Sequence, residues 1–489
     1  MNGKINPDII KMRLQFLNPY LKLCAAAENN EVYRVLLSQN ATFKTVYDDN
    51  KTLVTSLLVK ICLDYITEKN KLSSQQLEKI KKDKNLPPLL GFIPFFKFSS
   101  INNKKDSKGF LTINNFIESS TEEKELKAFY NVCQHRGARL LNVESGVMEK
   151  YSCPYHGWRY RNDGKLDKVP NEDLFEGGVN CDEYSLKEVR VEDWAGTIWI
   201  CMDQEATDFD SFIGEIKELI NPYQTKNMLL TEDQTVHLDC NWKAVFDNSG
   251  ELYHVEHIHP QHQLIFDCPS AKQEYFDNGH TRVLIEGFTV NSDLPIPEEV
   301  PETMWAQMEA LDMDRSSYKG RVRDIRSDIQ IKKREYGKLL GYNYDLLSDE
   351  QLSDIVQYNI FPNTVLVLQP DEFWILRSRP HETDPNKCLW DKFTMRMPPS
   401  KDTNNNANLS FNLDKEDVPS DWNRPHHDEF TQEDIISGEK TMTITIDQDI
   451  HFIRDVQKGM HSRGFKAAKL NTDEARVQYF HDWLDYYMK

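Results

Sequence analysis

Apolar positions along the chain follow two periods, and the change between them divides the sequence. Between residues 7 and 84 apolar residues recur every three or four positions, as in Leu53, Leu57 and Ile61, which predicts helices. From about residue 89 short β-rich segments alternate with Gly, Asn and Asp turns, which predicts a small all-β domain ending near residue 205. Its clearest predicted strands are 110–113, 126–130 and 197–201.

Beyond residue 205 helical and strand patterns mix, so the overall fold class is predicted to be α+β. A hairpin is expected at 364–368 and 373–377, around a Gln-Pro-Asp-Glu turn. The remaining predicted elements are a strand at 283–290, helices over 297–358, a polar surface loop at 401–434, a strand at 441–446, a helix from about Asp449 and a last helix at the C-terminus.

Charge and composition exclude several classes of protein. The 59 Lys and Arg against 78 Asp and Glu give a net charge of −19, which disfavours nucleic acid as a partner. No apolar run approaches the ~20 residues that span a bilayer, and no signal peptide is recognisable at the N-terminus. We therefore expect a cytoplasmic protein without a disulfide framework, in which two of the nine cysteines have the close spacing to histidine that is typical of metal ligands.

The first group of candidate ligands combines two cysteines with two histidines. Cys133 and His135 form C-x-H, and after residues 136–152 Cys153 and His156 form C-x-x-H. Thiolates and imidazoles bind both zinc and iron, so a structural zinc site is the alternative to an iron–sulfur site. Each pair is followed by a glycine and lies between predicted strands. Two facing loops of this kind are suited to a two-iron cluster, with sulfur on one iron and nitrogen on the other.

The second group places Glu251, His254, His257 and His259 close together in the run NWKAVFDNSGELYHVEHIHP, residues 241–260. Two histidines and one carboxylate that occupy three coordination positions of an iron leave the other positions open for dioxygen and substrate. On a regular helix His257 shares a face with His254, whereas His259 lies about 140° away. Helix geometry by itself therefore favours His257 as the second ligand.

The runs NVCQHRGAR (131–139) and CPYHGWRYRNDGKL (153–166) resemble the Rieske [2Fe-2S] domain of ring-hydroxylating oxygenase alpha subunits. The resemblance implies that Cys133, His135, Cys153 and His156 hold the cluster. It also implies His254 and His259 as ligands of a mononuclear non-heme Fe(II), with a helix break near Pro260. The segment that contains Gln457, Gly459, Ser462 and Arg463 resembles the family's aspartate-supplying run, which implies Asp449 as third ligand and leaves Asp447 as the competitor. Glu251 occupies the position of an acidic residue that bridges the two metal sites.

We expect three parts: a helical N-terminal extension (1–88), which departs from the family's usual short arm, and two parts implied by the resemblance, a Rieske domain (89–205) and a helix-grip catalytic domain (206–489). The implied activity is that of a terminal oxygenase, which uses electrons from NAD(P)H through a separate reductase or ferredoxin to activate O₂. It would hydroxylate an apolar substrate, expected to be aromatic or polycyclic. A monooxygenase or demethylase acting on a quaternary amine, and a Rieske electron carrier without oxygenase activity, are the alternatives. A homotrimer is implied, with or without a beta subunit, in which each cluster feeds the iron of the neighbouring subunit.

Overall fold

The structure is a computed structural model that describes residues 93–95, 109–113, 116–120, 126–142, 145–398 and 424–488. The helices predicted between residues 7 and 84, and with them the proposed N-terminal extension, lie outside the described residues. No helix in the described ranges is long and apolar enough to cross a lipid bilayer.

Ten short strands build the first part of the described chain. Seven of them form one antiparallel sheet in the order β1-β10-β9-β4-β3-β2-β5, and β6, β7 and β8 form a second, smaller sheet. The strands are β1 (Ile93–Phe95), β2 (Gly109–Ile113), β3 (Phe116–Ser120), β4 (Leu126–Tyr130), β5 (Ser145–Val147), β6 (Lys150–Ser152), β7 (Arg159–Arg161), β8 (Leu166–Lys168), β9 (Glu188–Trp194) and β10 (Thr197–Cys201). The three clearest predicted strands are thereby confirmed as β2, β4 and β10.

An eight-stranded sheet dominates the rest, in the order β12-β13-β14-β15-β16-β17-β11-β18. Its strands are β11 (Leu229–Leu238), β12 (Phe266–Tyr275), β13 (Thr281–Gly287), β14 (Ile355–Ile360), β15 (Thr364–Leu368), β16 (Glu372–Pro380), β17 (Cys388–Arg396) and β18 (Asp428–Thr431). Neighbours are antiparallel except β11 and β18, which are parallel. Every residue of the apolar strand β15 is buried, as expected for a central strand that is covered on both faces.

Helices accompany this sheet, and two of them matter for the site. The α-helices are α1 (Phe209–Ile213), α2 (Ile216–Ile220), α3 (Trp242–Asn248), α4 (Val255–Ile258), α5 (Glu302–Ala310), α6 (Ile325–Leu340), α7 (Asp349–Ser353), α8 (Gln432–Ile436), α9 (Ile444–Met460) and α10 (Ala475–Met488). The mixed content confirms the α+β class. The predicted boundary near residue 205 falls between β10 and α1, and it stays a prediction.

Three predicted elements differ from the structure. The strand expected at 441–446 does not form, because Thr443 caps the start of α9 and the apolar residues Ile446, Ile450 and Ile453 continue at helical spacing on its buried face. The helical stretch expected up to residue 358 ends earlier, since β14 begins at Ile355. The expected loop at 401–434 contains β18 and the start of α8, while its first part, 401–423, lies outside the described residues.

Candidate iron centres

Two equivalent loops carry the cysteine–histidine pairs. In the first, the amide of Cys133 donates a hydrogen bond to the carbonyl of Ala138 at 2.7 Å, and in the second Cys153 donates to Trp158 at 2.7 Å. Each loop turns back at a glycine, Gly137 with φ 76° and Gly157 with φ 73°, a backbone conformation that residues with a Cβ rarely adopt. The repeated hydrogen bonds give both loops the same shape, so each presents one cysteine and one histidine.

The cysteines face inward and the histidines lie nearer the surface. Cys133 and Cys153 are only 1% and 3% exposed, whereas His135 and His156 are half-buried, with their Nδ1 atoms 3.1 Å apart. The His135 ring stacks on Trp158 with 4.8 Å between the ring centroids. This arrangement places the two nitrogens at the exposed edge of the site.

Burial raises the pKa of the Cys133 thiol, so a nearby cation is needed to hold it as a thiolate. The Tyr160 oxygen lies 3.3 Å from the Cys133 sulfur and accepts a hydrogen bond from the amide of Gln134 at 3.0 Å. The Tyr160 hydroxyl proton is therefore available to the sulfur. A hydrogen bond to a ligand sulfur is one of the means by which a protein sets the reduction potential of an iron–sulfur cluster.

The spacing of these four side chains fits two metal ions better than one. A single tetrahedral zinc holds its sulfur and nitrogen ligands within about 4 Å of one another. Within the described ranges, a group of three or more ligand atoms within 4.8 Å of one another occurs only elsewhere, at His254, His259 and Asp449. These four side chains do not form such a group, and two sulfurs with two nitrogens are the donor set of a two-iron cluster.

A local break in the helix brings the second group together. His254 lies just before α4 and His259 directly after it. The φ of −120° and ψ of 59° at His259 are not helical. A 3₁₀ turn at Pro260–His262 follows, so the predicted break at Pro260 is present. Because of the break, the centroid of the His259 ring lies 5.2 Å from that of the His254 ring, whereas His257 is exposed.

Asp449 reaches the same point from α9. It belongs to the buried face of that helix, and its Oδ1 lies 3.0 Å from His259 Nε2 and 3.5 Å from His254 Nε2. The carboxylate of Asp447 is occupied differently, because it accepts hydrogen bonds from the Met442 amide at 2.9 Å and from the Thr441 hydroxyl. Of the two aspartates, only Asp449 joins the histidines.

Hydrogen bonds on the far side of each ring show that this group fits a metal ion. His254 Nδ1 contacts Glu251, and His259 Nδ1 lies 2.8 Å from Gln448 Oε1, an atom that can only accept. The Nε2 lone pair of His259 therefore points at Asp449 Oδ1, which has no hydrogen-bond donor among the described residues. The two imidazole nitrogens and the carboxylate oxygen face one another within 4.8 Å, and two imidazoles with one carboxylate suit non-heme iron.

The electrostatics of His254 agree with this preference for positive charge. Burial lowers the pKa of His254, but the hydrogen bond that its ring donates to Glu251 and the charges of Glu251 and Asp449 outweigh it and leave the pKa raised. Glu251 also accepts a hydrogen bond from the His254 amide at 3.0 Å, so it fixes the residue at both its backbone and its ring. With 12% of its side chain exposed, Glu251 is partly open to a neighbouring molecule.

A cavity of about 740 Å³ opens in front of these three residues. Its walls are mainly apolar, and its carboxylates are Glu251, Asp447 and Asp449. No Lys or Arg occurs among its described lining residues. The apolar part of the wall consists mainly of Leu252, Val255, Phe266, Ile285, Ile355, Val367, Trp374, Leu376, Trp390, Ile444 and Ile446.

Comparison with known families agrees with both centres. The model of the ring hydroxylating alpha subunit (catalytic domain) matches residues 226–489, and the Rieske [2Fe-2S] domain matches residues 101–181. The chain belongs to the Rieske oxygenase alpha-subunit family. Membership implies a [2Fe-2S] cluster and a mononuclear iron as the cofactors.

Individual relatives match over limited stretches. The chain is 36% identical over 144 residues to the glycine betaine monooxygenase oxygenase subunit of Pseudomonas aeruginosa, which covers 28% of this chain and 32% of the relative. It is 37% identical over 153 residues to the large oxygenase component of the naphthalene 1,2-dioxygenase system of Pseudomonas putida, which covers 30% and 34%. The matched stretches thus span about a third of each relative.

Solved structures of this Rieske oxygenase family share the fold over most of the chain. The quaternary ammonium Rieske monooxygenase CntA in complex with L-carnitine superimposes with a TM-score of 0.53 at 18% identity, over 85% of this chain and 93% of that one. Naphthalene 1,2-dioxygenase from Rhodococcus sp. bound to indole gives 0.52 at 15%, over 84% and 92%. At these identities the likeness concerns the fold.

Three residues at the mononuclear site were not predicted from the sequence. Gln448 and Gln261 bond to each other beside His259, and His262 lies 2.9 Å from the Thr445 hydroxyl. Burial lowers the pKa of His262 to about 4, so this ring is neutral at pH 7. The contacts of these three residues join segments far apart in sequence, so the sequence gives little sign of them. The one available signal was for Gln448, which is adjacent to Asp449.

Proposed function

We propose that this chain is the terminal oxygenase component of a multicomponent Rieske system. It would hydroxylate an apolar, aromatic or polycyclic substrate with O₂ and electrons from NAD(P)H. The observation that carries the proposal is the convergence of His254, His259 and Asp449 at the wall of a mainly apolar cavity. The same chain contains the candidate cluster ligands Cys133, His135, Cys153 and His156. One polypeptide would therefore carry both the electron-transfer site and the oxygen-activating site. A cytoplasmic location stays a prediction.

Each group of residues would hold one cofactor. Cys133 and Cys153 would bind one iron of the cluster, and His135 and His156 the other. When bound, the cluster supplies electrons and the mononuclear iron binds and reduces dioxygen. His254, His259 and Asp449 would hold the mononuclear iron and leave its cavity side open for O₂ and substrate.

Electrons would enter at the exposed histidine edge of the cluster. The half-buried His135 and His156 are the parts of that site nearest the surface. A reductase or ferredoxin would deliver electrons there, and Glu251 would accept a hydrogen bond from a cluster histidine of a neighbouring subunit while it holds His254. This arrangement would require an oligomer, for which we propose a homotrimer, with or without a beta subunit.

The cavity favours a neutral substrate over a carboxylated one. A substrate carboxylate placed in it would lie near the carboxylates of Glu251, Asp447 and Asp449, and no Lys or Arg occurs among its described lining residues. Burying an unpaired carboxylate is costly, while the indole rings of Trp374 and Trp390 provide apolar area. Indole faces also attract quaternary ammonium groups, and this is the observation in favour of the alternative, a monooxygenase acting on a quaternary amine.

A single-turnover assay separates the two substrate classes. The protein is reduced anaerobically with dithionite, freed of excess reductant and mixed with isotopically labelled O₂ and substrate, and the products are identified by mass spectrometry. Naphthalene is expected to acquire label. Its matched carboxylate, 2-naphthoate, is expected to bind at least about tenfold more weakly, equivalent to about 1.4 kcal/mol. Labelled product from carnitine or choline with none from any hydrocarbon would contradict the apolar substrate class and support the alternative.

A further inference from the structure

Gln448 lies beside the nitrogen of the His259 ring that faces away from Asp449. It precedes Asp449 on α9, and its Oε1 lies 2.8 Å from His259 Nδ1. An amide oxygen can only accept a hydrogen bond, so Nδ1 must be the protonated nitrogen of the ring. The unprotonated Nε2 is then the atom that faces Asp449, at 3.0 Å.

A second glutamine fixes the orientation of the Gln448 amide. Gln261 Nε2 donates to the same Oε1 at 2.7 Å, and Gln448 Nε2 donates back to Gln261 Oε1 at 3.3 Å. With the Gln261 amide in this orientation, a half-turn of the Gln448 amide would set its NH₂ group against the NH₂ group of Gln261, and both bonds between the two glutamines would be lost. The reciprocal pair therefore keeps an acceptor in front of His259.

The two histidines differ in the charge that supports them. His254 Nδ1 contacts the carboxylate of Glu251, whereas His259 Nδ1 is held by a neutral amide. His259 is 2% exposed, so water does not readily replace that acceptor. A hydrogen-bond partner of this kind sets the orientation and the basicity of a metal-binding imidazole.

We propose that Gln448, oriented by Gln261, is a positioning residue that keeps His259 ready to bind iron through Nε2. The inference rests on the proposed function, because it takes His259 to be an iron ligand. It concerns the ring's orientation and proton position, which can be measured without turnover.

The test measures Fe(II) affinity of cluster-loaded protein by anaerobic competition with a chelator. Gln448→Leu removes the acceptor and is expected to weaken Fe(II) binding by about 10–100-fold. Gln448→Glu restores an acceptor and is expected to bind Fe(II) within about threefold of the unmodified protein, with a more negative reduction potential of the mononuclear iron because the new group is anionic. Gln261→Leu, which leaves Gln448 in place, is expected to give a smaller loss than Gln448→Leu.

Gln478→Leu on α10 is the matched control, since Gln478 is exposed and bonds to Asp482 alone among the contacts described for it. Its Fe(II) affinity should not change. Unaltered affinity in Gln448→Leu, with the cluster's visible absorption intact, would overturn the proposal. Equal losses in the Leu and Glu variants would also overturn it, because packing alone would then explain them. An unmodified protein that binds cluster iron but no further Fe(II) would instead refute the proposed function itself.

Discussion

Replacing His254 with alanine is expected to reduce turnover to background while the visible spectrum of the cluster stays unchanged. His254 contributes one of three donor atoms that converge at the mononuclear site. Its loss leaves one imidazole and one carboxylate, too few ligands for a stable iron centre. The cluster ligands lie on other loops, so they should still assemble. The measurement is labelled-product formation together with iron analysis, which should fall from about three irons per chain to about two.

His257→Ala provides the control for this variant. His257 lies three residues further along the same segment but is exposed and does not join the group of ligand atoms. It should retain turnover and about three irons per chain. Loss of iron from His257→Ala with retention in His254→Ala would show that the sequence-based helix geometry, which favoured His257, describes the site better than the structure does.

Glu251→Gln is expected to slow electron arrival at the mononuclear iron by about 10–100-fold without removing either metal. The amide keeps an oxygen acceptor but loses the negative charge beside His254, and it offers a donor where a partner imidazole N–H would approach. Rapid mixing of reduced protein with O₂ and substrate, followed at the cluster's visible absorption, measures the oxidation rate of the cluster directly.

Glu256→Gln is the matched control, because Glu256 is half-buried in the same segment and bonds to Asn291 rather than to a candidate ligand. Cluster oxidation in this variant should proceed at the original rate. If Glu251→Gln also oxidised at that rate, Glu251 would orient His254 without carrying electron transfer between subunits.

The cysteine–histidine loops could be predicted from the sequence because their ligands lie close together along the chain. The Cys133 and Cys153 loops are short turns between strands, so residue spacing and glycine positions predict them well. The placement of His259 required the resemblance to a family, since helix periodicity favoured His257. The assignment of Asp449 as the third ligand likewise depended on the resemblance, through its position relative to a family motif near the C-terminus.

The features that the sequence could not supply depend on tertiary packing. The run from Thr441 to Ile446 is rich in β-branched residues, which predicted a strand. In the structure Thr443 caps α9, and Ile446 and Ile450 pack on the buried face of that helix, so the second half of the run is helical. Phe266 and Val367 line the cavity, whereas Met304, Met308 and Phe361 belong to the buried core. Gln261 and Gln448 meet only because two distant segments fold together.

The most direct test of the account is a Mössbauer spectrum of anaerobically purified, isotopically enriched protein. Two kinds of iron are expected: the paired irons of a cluster ligated by cysteine and histidine, and a separate high-spin ferrous ion with nitrogen and oxygen ligands. Their areas should stand at about 2:1. A spectrum with cluster iron alone would identify an electron carrier, and the absence of cluster iron would contradict the account altogether.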